Sequence, residues 1–257
     1  LYARYCKRRK GEQIMFKLVR SELLKLRHTF SMKLPVVAPI MTLLLGYVLS
    51  GNSVQFTAYN WWYTMIFPVA ISLWSTNAIS REKDTHYQNL LCLPIDLKKL
   101  WIGKLTAIIV LALFSSLLMC GGCTAFGAFT KMNINLLDGF FGCMLLFVAF
   151  LWQIPVVMWV AKRMGHLAAI LLSVGCNMVC SMAGAESGLF FLNPFAIPAR
   201  IVCPFFKMHP NGLPLENNSV LFEKGMILHA VCISLLLFVL LSFVTARLFA
   251  KGEKKHD

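Results

Sequence analysis

Gly103-Lys104-Leu105-Thr106 resembles the tail of a nucleotide phosphate loop. Such a loop needs another Gly five residues earlier, so that backbone N–H groups can cradle a phosphate, and Lys98 stands there. An apolar helical sequence follows, so the chain does not bind ATP by that route. His28, His86, His166, His209, His229 and His256 are scattered, with no H-E-x-x-H and no paired-carboxylate spacing, so a membrane metalloprotease would lack its ligands. Nothing positive supports a Ser–His or Cys–His hydrolase. Cys120-Gly-Gly-Cys123 has the spacing of a redox or zinc half-site, but it has no second pair and lies in an apolar run. A small-residue packing face is the better reading. The polar residues inside apolar runs are Asn77, Gln153, Asn177 and, near one end, His229. An ion-coupled carrier needs ionisable groups at membrane depth. Gln153 and Asn177, with Pro155, could line a path, but they fit a hydrogen bond between helices better. With neither a phosphate loop nor a coupling residue, the chain invites an engine on another subunit.

The elements that position these residues are apolar. Six stretches free of Asp, Glu, Lys and Arg run over Leu34–Ser50, Trp61–Ser80, Leu105–Phe126, Gly139–Ala161, Leu167–Ala185 and Gly225–Ala246. About 20 apolar residues cross a bilayer as a helix, and lipid-exposed irregular backbone is excluded there. The expectation is an all-α integral membrane protein with six transmembrane helices. Of 25 Lys and Arg, ten fall before residue 34, five in the 81–104 loop, two at 162–163 and four in the tail. The intervening loops hold only Lys131, Arg200, Lys207 and Lys224. The positive-inside rule therefore places both termini in the cytoplasm. The net charge of +14 reads as topology plus attraction to anionic lipid, not as nucleic-acid binding. Cys120, Cys123, Cys143, Cys176, Cys180 and Cys232 lie in spans, Cys6 and Cys92 inside and Cys203 outside, so no disulfide scaffold is indicated. Segments 1–33, 34–250 and 251–257 read as a cytoplasmic N-terminal part, a transmembrane domain and a cytoplasmic tail. Leu1–Ile14 lacks apolar periodicity and Met15-Phe16-Lys17 resembles a natural start, so the first fourteen residues are read as an extension.

Three segments outside the spans carry information. Phe16, Val19, Leu23, Leu26 and Phe30 share one helical face and Lys17, Ser21, Lys25 and His28 the other, which predicts an amphipathic interfacial helix over Met15–Phe30. In the 81–104 loop, mixed charge gives way to Leu90, Leu91 and Leu93, then Pro94, with Asp96 as N-cap of the third span. A short helix from about Asp84 to Cys92 would present leucines to a docking partner or bury them in lipid. Ser187–Lys224 is too apolar for a solvated loop. It is also too broken by Pro194, Pro198, Pro204, Pro210 and Pro214 to span, so helices re-entering the outer leaflet are expected before the last span.

From Met15 to Ala250 these features resemble the ABC-2 type exporter permeases. Within them, Lys17–Arg27, Arg81–Lys104 and above all Asn193–Glu216 (NPFAIPARIVCPFFKMHPNGLPLE) look like lantibiotic immunity permeases of the MutE/EpiE type. The resemblance implies a permease subunit in the bacterial cell membrane, paired with a second homologous permease and two copies of an ABC ATPase subunit. ATP and Mg would bind on that ATPase, none in this chain. The complex would return lantibiotic-type peptides to the medium. Glu82 matches the acidic residue opening the coupling loop, and Leu90, Leu91, Pro94 and Ile95 its apolar turn, with Leu93 in the same patch. Glu82-Lys83 stands where many members carry Glu-Gly. Phe190, Phe191, Phe195 and Phe205 would suit an apolar entrance at the outer gate, or ordinary lipid anchoring. Export of another membrane-active antibiotic or lipid, a self-contained channel or carrier, and a non-transporting sensor are the alternatives.

The charge distribution makes a labelling prediction. On a Cys-less background, an impermeant thiol reagent should modify Cys probes at Asn60, Asn135 and Asn211 from outside, and none at Lys99 or Lys254. Labelling at Lys99 from outside would overturn the topology.

Overall fold

The computed structural model describes residues 2–27, 29–84, 96–181, 183–216 and 219–253, without side chains at 2–12, 14, 52, 81–84 and 252–253. The chain is helical. In order come α1 (Tyr2–Leu26), α2 (Leu34–Ser50), α3 (Val54–Trp61), a π-helical turn (Trp62–Ile66) and α4 (Phe67–Asp84). After them come α5 (Leu97–Phe129), α6 (Leu136–Phe150), α7 (Gln153–Met164) and α8 (His166–Cys180). Two short helices, α9 (Ile197–Ile201) and α10 (Cys203–Phe206), precede the last, α11 (Ile227–Glu253). Among the described residues the extended backbone amounts to one bridge, Met208 to Pro214. By length and composition, Leu97–Phe129, Leu136–Met164 and Ile227–Lys251 can cross a membrane, and Leu34–Ser50 and His166–Cys180 are shorter apolar helices.

Prolines and caps set the breaks. Pro155 lacks an N–H and its ring crowds the carbonyl one turn back, so the Leu136–Met164 rod breaks at Leu151–Trp152. Pro68 acts similarly on the run from Val54 to Asp84. The chain widens into a π turn before it, with the Phe67 N–H reaching the Trp62 carbonyl. Pro39 sits inside α2 and leaves the Pro35 carbonyl without its helical donor. Ser115 Oγ of α5 supplies one at 3.1 Å. The Asp96 side chain caps α5 by accepting from Lys98 N at 3.0 Å. At 33 residues, roughly 50 Å at 1.5 Å per residue, α5 outreaches a hydrocarbon core of about 30 Å.

Side-chain contacts sort the helix ends into two sets. At one end, Ser80 of α4 meets His166 of α8. There Trp101 of α5 donates to Thr245 Oγ1 of α11 at 3.1 Å, and Lys162 of α7 lies 4.2 Å over Phe249. At the other end, buried Gln55 of α3 clamps the α5–α6 turn. It accepts from Asn133 N and Ile134 N, both at 2.8 Å, and donates to the Cys123 and Ile134 carbonyls. Trp62, Trp74 and Trp101 are among the largest fully buried side chains of the core. α4 packs on α7 and α8, while α2 packs on α3 and α5. α11 lies at the periphery, with only 11% of its most apolar window buried.

The segment before α11 folds as a cap over the second end. Phe206 stacks on Tyr59 at 4.0 Å, above Gly142 of α6. Tyr63 Oη donates to the Pro210 carbonyl at 2.6 Å, and Asn193 Nδ2 to the Cys180 carbonyl, which ends α8, at 2.8 Å. The hairpin at Met208–Pro214 turns through Gly212 at φ 86°, a left-handed conformation suited to Gly.

Two expectations need correction. The N-terminal helix ends at Leu26, not Phe30, because Thr29 takes the Leu26 carbonyl through both its hydroxyl (2.6 Å) and its N–H (2.9 Å). Phe30 starts a separate 3₁₀ turn. The second apolar stretch begins as helix at Val54, before the predicted Trp61, and carries the π turn that its composition does not announce. The expected helix near Asp84–Cys92 lies outside the described residues beyond Asp84.

A Cβ added at Gly142 would fall 2.2 Å from Cε1 at the edge of the Phe206 ring, whereas one at Gly121 meets nothing within 4 Å. Gly142→Ala should therefore cost about 1–3 kcal/mol by overpacking, and Gly121→Ala should be neutral or stabilising by up to about 1 kcal/mol. Thermal denaturation in detergent checks this. Equal midpoints for the two variants would refute the packing of the cap on α6.

Candidate functional site

α1 lies against the first turns of α5, with a Cβ at Gly103 falling 3.3 Å from that of Leu18. The stripe facing the protein is Leu18, Glu22 and Leu26, all buried. Glu22 is the acid in that stripe, and its partner is Lys104 of α5, 1% exposed, with Nζ 2.7 Å from Oε2. Lys104 Nζ also donates to the Ala78 carbonyl of α4 at 3.0 Å, and Lys25 reaches Glu22 Oε1 at 2.6 Å. One ammonium thus joins α1, α4 and α5. A charge pair this buried repays its desolvation only through close geometry and further hydrogen bonds, and both are present. Beside it, Trp74 Nε1 donates to the Ser31 carbonyl at 2.9 Å and Asn77 Nδ2 to Ser31 Oγ at 2.6 Å. The link between α1 and α2 is therefore pinned to α4.

α4 and α5 are the two helices joined through residues 85–95. Sequence reasoning placed Lys104 among exposed loop charges and passed over Glu22. The available signal was an acid isolated in a cationic helix, with a lysine beside Gly103 at the margin of an apolar run.

The coupling residues expected from sequence are only partly visible. Glu82 lies in the last turn of α4 with its side chain outside the described set, and Leu90, Leu91, Leu93, Pro94 and Ile95 lie outside the described residues. Of the expected apolar face, Phe16 on α1 and Phe30 in the following 3₁₀ turn are exposed, Val19 and Leu23 half-buried and Leu26 buried. The expected apolar face thus turns its Phe16 and Phe30 ends away from the protein, while Leu23 and Leu26 pack inward.

The four phenylalanines of the expected outer gate do not share one surface. Phe190 is buried with the Arg200 guanidinium 5.4 Å above its ring, and Phe191 lies edge-on to it at 6.0 Å. Arg200 itself donates to the Leu221 carbonyl at 3.1 Å. Half-buried Phe205 meets Phe141 of α6. Half-buried Phe195 packs edge-on to Trp152 at 5.0 Å, more than halfway along Leu136–Met164. Burial pushes the Cys203 thiol up to about 12, with Arg200 working the other way, so it stays protonated and donates to the Ala199 carbonyl at 3.2 Å. Deeper in the bundle, Gln153 and Asn177 form a reciprocal amide pair, both bonds at 2.9 Å.

Residues 18–184 match the family model described as ABC-2 family transporter protein. The match spans well over half of the chain, which therefore belongs to the ABC-2 family, the membrane subunits of ABC transporters. Family and apolar helices together make it a multi-pass membrane protein, one whose family works with an ABC ATPase partner. No curated protein matches the chain, and no solved structure does. The matched residues contain the whole Glu22–Lys104–Ala78 junction and stop before the cap.

Removing one partner of a buried ion pair costs far more than removing both. Glu22→Ala should destabilise the protein by about 3–5 kcal/mol, and Glu22→Leu combined with Lys104→Met should recover most of the loss. Unfolding in detergent, read as a double-mutant cycle, checks this. Strictly additive effects would show that the pair is not coupled.

Proposed function

We propose that this chain is the permease subunit of an ABC exporter that expels lantibiotic-type antimicrobial peptides from the bacterial cell membrane. α2, α3–α4, α5, α6–α7, α8 and α11 are its six spans. α1 is its inner interfacial helix, both termini are cytoplasmic, and the cap re-enters the outer leaflet. A second permease and two ATPase subunits complete the assembly, with ATP and Mg on the ATPases. The observation that carries the reading is the cap, an apolar, proline-broken segment that reaches down to Trp152 instead of forming a solvated loop. A peptide already dissolved in the outer leaflet needs a lateral apolar entrance, not an aqueous pore, and half-buried Phe195 and Phe205 offer one.

The mechanism is alternating access. ATP closes the paired ATPases, the 82–95 element moves with them, and α4 and α5 carry that motion to the spans, with Lys104 and Glu22 keeping α1 in register. Closure can shift the permease pair only by its differential affinity for the two states, several kcal/mol for a near-complete switch.

Two measurements test this. Co-expressed with its ATPase, the chain should retain it through detergent extraction, and Leu90→Asp with Leu91→Asp should abolish that co-purification while leaving membrane insertion intact. Normal binding by that variant would sink the coupling assignment. Expression of the whole operon in a sensitive host should raise the inhibitory concentration of lantibiotics several-fold. Phe195→Ser with Phe205→Ser should remove the protection in a complex that still assembles. Phe190 is unsuitable for this test, because it is buried beneath Arg200 and its loss would report on folding. Protection against bacitracin alone, or transport driven by an ion gradient without the ATPase, would overturn the substrate or the mechanism respectively.

A further inference from the structure

The corner between α1 and α2 is closed behind and open in front. Behind it, Ser31 is fully buried; its carbonyl accepts from Trp74 Nε1 and its hydroxyl from Asn77 Nδ2, so the backbone of the corner is fixed. In front lies a recess of about 380 Å³ lined by Arg27, Thr29, Phe30 and Lys33. A site for one water occupies about 10–15 Å³, so the recess takes a group far larger than a water or a simple ion. Thr29 is committed to the Leu26 carbonyl through both its hydroxyl and its N–H. The two cations are not committed. Arg27 and Lys33 are exposed, and no carboxylate among the described residues pairs with either.

The surface that leads away from the recess along α2 is apolar. Lys33, itself in the αR conformation, is the N-cap of α2, and Val36, Ile40 and Leu44 follow it on one helical face, all exposed. From Lys33 to Leu44 the helix rises roughly 16 Å at 1.5 Å per residue. One leaflet of the hydrocarbon core is about 15 Å deep, half of about 30 Å. Two cations at the head of an apolar track one leaflet long match a molecule with an anionic head and an acyl tail. A soluble phosphate would meet the cations and leave the track unused. Phosphatidylcholine would fit the track, but its own ammonium already neutralises its phosphate.

We propose that the α1–α2 corner is a site for an anionic diacyl phospholipid. Arg27 and Lys33 hold its phosphate, and an acyl chain lies along Val36, Ile40 and Leu44. The proposal rests on the reading of α1 as the inner interfacial helix and names the lipid that this corner takes from the inner leaflet.

Photolabelling of the full-length chain in phosphatidylcholine nanodiscs tests this, the probe being a phosphatidylglycerol with a diazirine in its acyl chain. Label should concentrate saturably on residues 36–44, and unlabelled phosphatidylglycerol should displace it where added phosphatidylcholine does not. Arg27→Gln with Lys33→Gln should weaken that competition about twenty-fold, since each cation near an anionic lipid surface contributes roughly fivefold. Lys17→Gln with Arg20→Gln removes the same charge from exposed positions of α1 outside the recess and should weaken it far less. Equal losses in the two variants would show diffuse attraction to the surface and overturn the site. A preference unchanged in about 1 M salt, where charges are screened within about 3 Å, would reduce the contact to chain packing and overturn it too. Displacement of the probe by millimolar glycerol phosphate would assign the cations to a soluble phosphate, and loss of labelling on adding the ATPase subunit would assign the corner to protein docking; either overturns the lipid. Unchanged lantibiotic protection without any preference for phosphatidylglycerol sinks the site and leaves the exporter standing. Selective labelling without protection sinks the exporter reading and leaves the site.

Discussion

Backbone groups released by proline or by a helix end must find partners inside an apolar bundle, and here side chains from distant elements supply them. Ser115 serves the Pro35 carbonyl that Pro39 orphans, and Gln55 serves two amides and a carbonyl of the α5–α6 turn. Tyr63 serves Pro210, Asn193 serves the end of α8, and Arg200 serves Leu221. Each is a long-range tie that exists because water is not available to do the same work. The cap therefore cannot be treated as a loop added to a finished bundle. Its irregular backbone is held in place by α3, the π turn and α8, and those elements in turn end where the cap receives them.

The same economy operates with charge at the opposite end. A lysine at 1% exposure would be intolerable in a lipid-facing position. Within the bundle it becomes the one group that α1, α4 and α5 share. The ion pair adds little net stability against an apolar replacement, so its value lies in position. It fixes the register of α1 against α4 and α5. A helix held only by leucines at an interface could slide, whereas one keyed by Glu22 to Lys104 has a single seating.

These two features also explain what the sequence made legible. The apolar runs, the Asp96 cap, hydrogen bonding between helices by Gln153 and Asn177, and the oddity of a proline-broken apolar segment after residue 186 all follow from local composition and spacing; that the two amides pair with each other does not. The Glu22–Lys104 pair does not, because its partners are 82 positions apart and each looks like a surface charge in its own neighbourhood. The face of α1 is instructive in the same way. Periodicity finds Phe16, Val19, Leu23, Leu26 and Phe30, yet in a membrane the apolar stripe is free to face lipid. The stripe that bears a polar residue is the one that needs protein. The π turn escaped for a different reason. Trp62–Ile66 has the composition of any buried helix, and only the missing N–H of Pro68 marks the spot.

The family match gives these parts different standing. Residues 18–184 include Glu22, Ala78 and Lys104, along with Trp152 and the Gln153–Asn177 pair. Phe195 and the rest of the cap fall beyond it. The Glu22–Lys104–Ala78 junction thus belongs to the common family domain, whereas the cap that packs on the bundle lies outside it. The Trp152–Phe195 contact, at 5.0 Å, is one place where the two meet.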